Sequence, residues 1–426
     1  MNIVNSKWIE TLNYICNYRI HSKYSIMTLK IAIIKERKNP PDRRVVFSPE
    51  MCVKALQKFP EIQFNVESSD IRIFSDEDYR EKGIEVVDDV SDCDVFLGVK
   101  EVPIDALIPN KKYFFFSHTI KEQPYNKKLL QAILEKNIAL YDHETIVYEN
   151  GSRVIGFGRY AGIVGAYNGF RALGLRDKLF SLPKVEHLPD YDAVKNELDK
   201  IQLPVIKIIL TGNGKVAHGA REILDYLQIR EVGVNDFLNQ SYNEAVYCNI
   251  DVLDYNKRKD GQIVDKYDFY KYPENYVSDF MRFAKVSDVF ITGHFYGNGA
   301  PLFFTKEEAK SVEFKINLIA DISCDINIPI PSTIRASTIA DPFYGYDPIS
   351  ESETLFDAKG AITVMAVDNL PCELPKDASE GFGKVFLEKV IPTFFNNDRD
   401  KILERALITK EGKLCSRFLY LKNYVS

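Results

Sequence analysis

Short apolar runs alternate with longer amphipathic stretches along most of this 426-residue chain. The runs "KIAIIKE" (30–36), "FNVES" (64–68), "DVFLGVKE" (94–101), "YFFFSHT" (113–119) and "IALYDHE" (138–144) predict a first series of strands. A second series is predicted at "VIKIILTG" (205–212), "REVGVND" (230–236), "DVFITGHF" (288–295), "INLIADIS" (316–323) and "AITVMAVD" (361–368). These runs are apolar throughout rather than strictly alternating, as in strands covered on both faces of a parallel sheet. Strands alternating with helices give an α/β expectation: two doubly wound Rossmann-like domains with parallel sheets and an interdomain cleft. Ser48 is placed to cap a helix begun by Pro49. The stretch "GRYAGIVGAYNGFRALGL" (158–175), with small residues at short spacing, predicts a closely packed helix joining the domains. The polar segment 184–203 and the tyrosine-rich segment 247–276 read as surface excursions. The expected division is an N-terminal extension (1–27), a substrate domain (28–160, completed by 372–426) and a dinucleotide-binding domain (161–371).

In open α/β sheets ligands bind outside the carboxyl ends of the strands. The first series presents there Lys35 and Glu36, then Lys100 and Glu101, then His118 and Lys121, then Asp142, His143 and Glu144. One charged residue after a strand is ordinarily a solvated loop position. Four neighbouring exits so crowded exceed what solubility requires. The aromatic run 113–116 stops within two residues of His118, and a strand end holds a side chain rigidly at the crevice. A histidine, titrating near ~6.5 when unperturbed, suits proton transfer near neutral pH. A lysine among like charges can be lowered toward ~7–8 and share that work. Lys121 either depresses His118 or orients it; the sequence leaves both open.

The second series opens on "IILTGNGKVAHGARE", which places Gly212-x-Gly214-x-x-Ala217 between a strand and a helix. Gly212 permits the tight turn, Gly214 lets a pyrophosphate approach the backbone, and Ala217 lets helix and sheet pack closely. Asp236, 24 positions beyond Gly212, falls near the expected place of a ribose-binding acid, or else is a turn residue before Phe237. No GxxxxGK[ST] motif occurs. His218 and His294 are isolated in sequence, so no metal is expected.

Composition narrows the picture further. With 45% hydrophobic and 27% charged residues the chain suits two globular cores. A net charge of −6 and a pI near 5.7 give no electrostatic footprint for nucleic acid. No stretch approaches the roughly 18 apolar residues of a membrane span, and the first 26 residues lack a secretory pattern. Seven scattered cysteines without a CxxC pair favour a reducing, cytoplasmic compartment.

The segments "KIAIIKERKNPPDRRVVFSP", "GVKEVP", "FFFSHTIK", "RVIGFGRYAGIVGA", "LTGNGKVAHGA" and "AVDNLPCELPKDASEGFG" together resemble the alanine dehydrogenase and transhydrogenase superfamily. Within it they are similar to lysine-forming saccharopine dehydrogenase and to the lysine–ketoglutarate reductase half of the bifunctional enzyme of lysine breakdown. The resemblance implies NAD- or NADP-dependent interconversion of saccharopine with lysine and 2-oxoglutarate through an imine. It implies that Arg44 and Arg153 hold substrate carboxylates, and that Lys100 and His118 are the acid–base pair. Lys121, Glu144 and Glu101 would be charged neighbours shaping the substrate site, and Asp368 would lie near the nicotinamide. An acid at Asp236 favours NAD through a ribose hydroxyl, whereas the reductase-like resemblance leans to NADP. The alternatives are another amino-acid or opine dehydrogenase on the same scaffold, or a catalytically idle ligand sensor.

Overall fold

The computed structural model describes residues 28–297 and 299–426; the extension expected over 1–27 lies outside them. The first half contributes β1 (Leu29–Ile33), α1 (Pro49–Lys58), β2 (Ile62–Glu67), β3 (Glu85–Val87), β4 (Val95–Leu97), β5 (Lys112–Phe115) and β6 (Ala139–Asp142). These strands are parallel in the order β3-β2-β1-β4-β5-β6. The order in which successive strands are laid down therefore reverses between β1 and β4, where a crevice opens. Ser48 caps α1 by accepting the Met51 amide, with Pro49 in the first turn. In β5 the aromatics divide between faces: Phe114 joins the core under α1, whereas Tyr113 and Phe115 fill a separate core on the opposite face.

The chain crosses to the second sheet through α2 (Gly158–Arg176), buried along most of its length. Next come β7 (Lys207–Thr211), α3 (Lys215–Tyr226), β8 (Arg230–Glu231), α4 (Val234–Asn239) and β9 (Val246–Ile250). A hairpin of β10 (Asn256–Arg258) and β11 (Tyr276–Ser278) precedes β12 (Val289–Thr292), β13 (Leu318–Ala320), β14 (Phe343–Asp347), β15 (Ser352–Thr354) and β16 (Ile362–Met365). Here the parallel order is β8-β9-β7-β12-β13-β16, extended by antiparallel β14 and β15. Two expectations fail. The run 230–236 is a strand for only two residues, because Gly233 caps α4. The start of the presumed surface excursion, Val246–Ile250, is a buried strand hydrogen-bonded directly to β7.

Helices α2 and α3 touch main chain to main chain. A Cβ on Gly162 would lie 1.9 Å from the Val216 carbonyl oxygen, and one on Gly219 would lie 1.9 Å from that of Arg159. The small residues of 158–175 thus reflect helix contact rather than turns. Beyond β16 the chain returns through the turn Leu370–Glu373 and α5 (Pro375–Lys389), which accepts the Val45 amide of the β1–α1 connection at Ser379 Oγ and packs Phe386 against Phe114 of β5. Antiparallel β17 (Leu407–Lys410) and β18 (Lys413–Leu414) then extend that sheet beyond β6.

Glu373, in the returning turn, is buried and accepts a 2.9 Å hydrogen bond from Asn168 of α2. Burial pushes its carboxyl up to about 7 against that bond. A carboxyl raised on folding is stabilising at low pH and loses that contribution as pH climbs from its ordinary range through 7. Glu373→Gln keeps an acceptor for Asn168 and removes the titration. Urea unfolding should show the variant gaining about 2–3 kcal/mol relative to wild type between pH 5 and pH 8.5. A difference that stays constant with pH would count against it.

Candidate active site

Glu36 spans the crevice between β1 and β4. Half-buried, it accepts the amides of Val99 (2.6 Å) and Lys100 (2.8 Å), fixing the turn that carries Lys100. Burial, aided by Asp42, pushes its carboxyl up to about 8. Arg44 is buried and gripped by Asp42 through Nε (3.0 Å) and Nη2 (2.6 Å), with its guanidinium 4.2 Å from the Phe157 ring. Burial of Asp42 is outweighed by Arg44, with help from Lys100, and the carboxyl is held at about 2. Cys372, from the returning turn, donates to the same carboxylate at 3.4 Å, its thiol pushed up to about 12 by burial. Lys100, Arg44, Asp42 and Cys372 therefore form one charged group at the first sheet's carboxyl edge.

His118 ends the β5 segment in a left-handed conformation, φ 54°. Its ring lies over Phe116, and Nδ1 faces both Glu144 Oε2 (3.5 Å) and Lys121 Nζ (3.4 Å). Nε2 is 3.9 Å from Glu101, whose other oxygen pairs with Lys38 at 2.9 Å. Burial works to raise Glu144, but His118, Arg153 and Lys121 overcome it and hold the carboxyl at about 2. His118 is thus flanked by groups of opposite charge, with Lys121 and Glu144 both at Nδ1. Glu144 also binds Arg153 Nη2 at 2.9 Å, so both expected carboxylate-binding arginines already hold a carboxylate of this chain. His143, between Asp142 and Glu144, does not face the site. It is buried among Phe116, Phe382 and Phe386, hydrogen-bonded to the Gly98 carbonyl, and pushed down to about 4 by burial.

The glycine loop adjoins this cluster. Lys215, first residue of α3, donates from Nζ to the carbonyls of Arg153 and Val154, each at 3.1 Å. A continuous line of contacts runs from the loop through Arg153 and Glu144 to His118. Gly212 has φ +89°, and a Cβ there would meet the Gly293 carbonyl oxygen at 2.5 Å. A Cβ on Gly214 would meet nothing within 4 Å, so open space lies before the N-terminus of α3. Ala217 is buried against Gly293. Small residues, an open backbone and a helix N-terminus fit a dinucleotide pyrophosphate.

Asp236 does not join this crevice. It is exposed on the first turn of α4, beyond edge strand β8. The spacing rule assumes that the next strand in sequence neighbours β7, but β9 occupies that place. The acid at the exit of the neighbouring strand is Asp251, immediately after β9, where it caps the following turn. Gly212 donates its amide to the Ile250 carbonyl at 2.9 Å, so Asp251 adjoins the loop. Asp368 is exposed beyond β16, close enough to Cys324 to add to the burial that raises its thiol. Asp325, after β13, is raised by burial and Asp321 while Lys121 pulls it down, so charged groups of the two sheets face one another across the cleft.

Among the described residues no three His, Cys, Asp or Glu side chains gather as a metal site, and no helix is long and apolar enough to cross a membrane. A surface hollow of about 970 Å³ between the Tyr148–Asn150 turn and residues 388–405 contains none of the groups above.

Residues 32–164 match the family described as alanine dehydrogenase/PNT, N-terminal domain. The chain is 29% identical over 437 residues to "alpha-aminoadipic semialdehyde synthase" of Arabidopsis thaliana, covering 92% of this chain and 41% of that protein. It is 27% identical to the protein named "alpha-aminoadipic semialdehyde synthase, mitochondrial" of Mus musculus, covering 92% and 47%. It thus spans less than half the length of these two relatives. It is also 26% identical to "saccharopine dehydrogenase [NAD(+), L-lysine-forming]" of Yarrowia lipolytica, covering 84% of this chain and 90% of that one. Among solved structures, an L-alanine dehydrogenase superposes with a TM-score of 0.61 at 15% identity over 93% of this chain and 100% of the other. A transhydrogenase from Sinorhizobium meliloti superposes with 0.53 at 14% identity, covering 91% and 100%. The fold is that of these two proteins.

Proposed function

From an alanine dehydrogenase/PNT N-terminal domain over residues 32–164, set against a second sheet that carries a glycine loop, we propose an NAD(P)-dependent oxidoreductase of the saccharopine type. The reaction is the interconversion of saccharopine with L-lysine and 2-oxoglutarate through an imine. The observation that carries this reading is the line of contacts from Lys215 at the glycine loop, through Arg153 and Glu144, to His118. The names of the relatives point to the same substrates.

Gly212, Gly214 and Ala217 with the first turn of α3 would hold the pyrophosphate, and Asp251, rather than Asp236, the adenosine ribose. An acid at that point favours NAD over NADP. What the bound dinucleotide supplies is a hydride for the imine carbon, or a hydride acceptor in reverse. Asp368, at the exit of β16, would lie near the nicotinamide. In the saccharopine-forming direction the neutral lysine ε-amine attacks the keto carbon and gives up both its protons, the keto oxygen gains two and departs as water, and the imine nitrogen regains one proton as it is reduced. His118 and Lys100 take and return those protons. Arg44 and Arg153 bind the substrate carboxylates, with Asp42 and Glu144 fixing the two guanidinium planes beforehand. Lys121 and Glu101 complete the charge balance around His118. The chain is assigned to a reducing, cytoplasmic compartment on its scattered cysteines, all six described ones being free.

The test is a substrate screen that follows NADH and NADPH oxidation with the purified protein. Lysine with 2-oxoglutarate is the expected active pair. Turnover with ammonia and pyruvate alone would replace the reading with an alanine-type dehydrogenase. Failure of both dinucleotides to bind would leave a ligand sensor.

A further inference from the structure

Asp142, the last residue of β6, is fully buried, and its side chain has no part in the chemistry set out above. The ladder between β5 and β6 ends at the pair Phe115 and Asp142. Beyond that pair the two strand exits meet through the Asp142 carboxylate. Oδ2 accepts the Ser117 amide at 2.9 Å and also the Ser117 hydroxyl, while Oδ1 accepts the Glu144 amide at 2.7 Å. Ser117 Oγ in turn accepts the Thr119 amide at 3.2 Å and lies 2.8 Å from Thr119 Oγ1. Ser117 and Thr119 are fully buried, whereas the His118 side chain between them is 22% exposed. The pinned groups therefore lie beneath the site, and His118 is held through its chain neighbours on both sides.

The set of donors accounts for the residue type. Two amides from different strand exits and one hydroxyl converge on this side chain. A carboxylate accepts on both oxygens, so it can hold both exits at once. Asparagine has the same shape but a single oxygen, and its NH2 would face either the Ser117 amide or the Glu144 amide, donor against donor. Burial raises the Asp142 carboxyl above its ordinary range, and the bonds from Ser117 and Glu144 oppose that rise. The residues joined in this way are those that bring His118 Nδ1 to 3.5 Å from Glu144 Oε2.

We propose that Asp142 is a positioning residue for the reaction: by holding Ser117 with one oxygen and the Glu144 amide with the other, it fixes His118 against Glu144 in the arrangement that proton transfer uses. This rests on the role given to His118 under the proposed function, and it adds a buried residue that acts through His118 rather than on the substrate.

The experiment is steady-state kinetics of the full chain with lysine, 2-oxoglutarate and each of NADH and NADPH, alongside dinucleotide Kd by fluorescence and melting temperature. Ser117→Ala removes the hydroxyl and leaves the amide on Oδ2, so it loosens the His118 side alone. It should lower kcat by about 3- to 10-fold, the worth of one hydrogen bond, with KM for both substrates and dinucleotide Kd unchanged. Asp142→Asn releases one strand exit altogether. It should lower kcat by about 10- to 100-fold, as misplacement of a reacting group does, again without a change in dinucleotide Kd. The decisive readout is the same pair of substitutions made in His118→Gln. If Asp142 acts through His118, adding either substitution there should change kcat by less than about 2-fold. A general buttress of the sheet edge would instead multiply its full loss onto that of His118→Gln, and this result overturns the proposal. Unchanged kcat in Ser117→Ala overturns it too, as does a kcat loss matched by weaker dinucleotide binding. Should Asp142→Asn fail to fold, Ser117→Ala and its double variant decide the matter. If the wild-type protein turns over lysine and 2-oxoglutarate with neither dinucleotide, the proposed function fails and takes this proposal with it; if it turns over and the losses multiply, only this proposal falls.

Discussion

His118→Gln should lower kcat with lysine and 2-oxoglutarate by about 10²- to 10⁴-fold, the usual worth of a positioned acid or base. Dinucleotide affinity should be unchanged, since the side chain belongs to the first sheet and the glycine loop to the second. Glutamine can still hydrogen-bond to Glu144 and Lys121, so the cluster keeps a polar partner in place of the ring. The limb of the pH–rate profile that reports the imidazole should vanish. Lys100→Met should remove a different limb, because that side chain sits beside Arg44, Asp42 and Cys372 rather than beside Glu144. If the two groups serve one proton-transfer step, the double variant should be less impaired than the product of the single losses. The rival is a purely structural histidine that seats the turn ending at Lys121. Such a residue would cost melting temperature and leave the profile's shape alone. A near-wild-type rate with an unaltered profile would end the acid–base assignment.

The second large effect is expected at Arg44, and it is on stability as much as on catalysis. Arg44 and Asp42 are 4% and 2% exposed, so Arg44→Ala leaves a buried carboxylate without its partner. Breaking such a pair from one side costs about 3–5 kcal/mol. Urea unfolding should show that loss near neutral pH, together with a raised KM for the keto acid. Arg44→Met combined with Asp42→Asn removes both charges and should recover most of the stability without recovering KM. Arg153→Ala is the control: its side chain is 56% exposed. It should unfold within ~1 kcal/mol of wild type and lose roughly 10- to 150-fold in kcat/KM, the worth of a charge-assisted contact. Equal destabilisation of both alanine variants would contradict the contrast between a buried and a rim arginine.

The difference between these arginines was not legible in the sequence, where both read as carboxylate-binding cations. Asp42 stands two residues from Arg44, but only the folded turn brings its carboxylate round to the guanidinium. Glu36 was visible as a charged strand exit, while its bonds to the Val99 and Lys100 amides depend on β1 and β4 lying side by side across a long connection. What composition and periodicity did reveal follows from local physics. Continuous apolar runs marked most of the parallel strands, and the glycine-rich run marked α2 from Gly158 to Arg176. Ser48 before Pro49 marked a helix start. The misplacement of Asp236 has a topological cause: local pattern says that a strand exists, and nothing in it says that β9 inserts between β7 and β8. The tyrosines around β9 hid that strand, because Tyr247 alternates with polar Asn249 in a segment that is nonetheless buried.

The contact between α2 and α3 also governs how this sequence can drift. At most crowded positions in a core, a larger side chain on one element can be accommodated by a smaller one opposite, so pairs of substitutions arise that neither partner tolerates alone. At Gly162 and Gly219 the obstacle is a carbonyl oxygen of the facing helix, which every amino acid carries. No second-site change can make room, and the two positions are expected to remain glycine independently of each other in any functional variant library, showing strong selection without pairwise covariation.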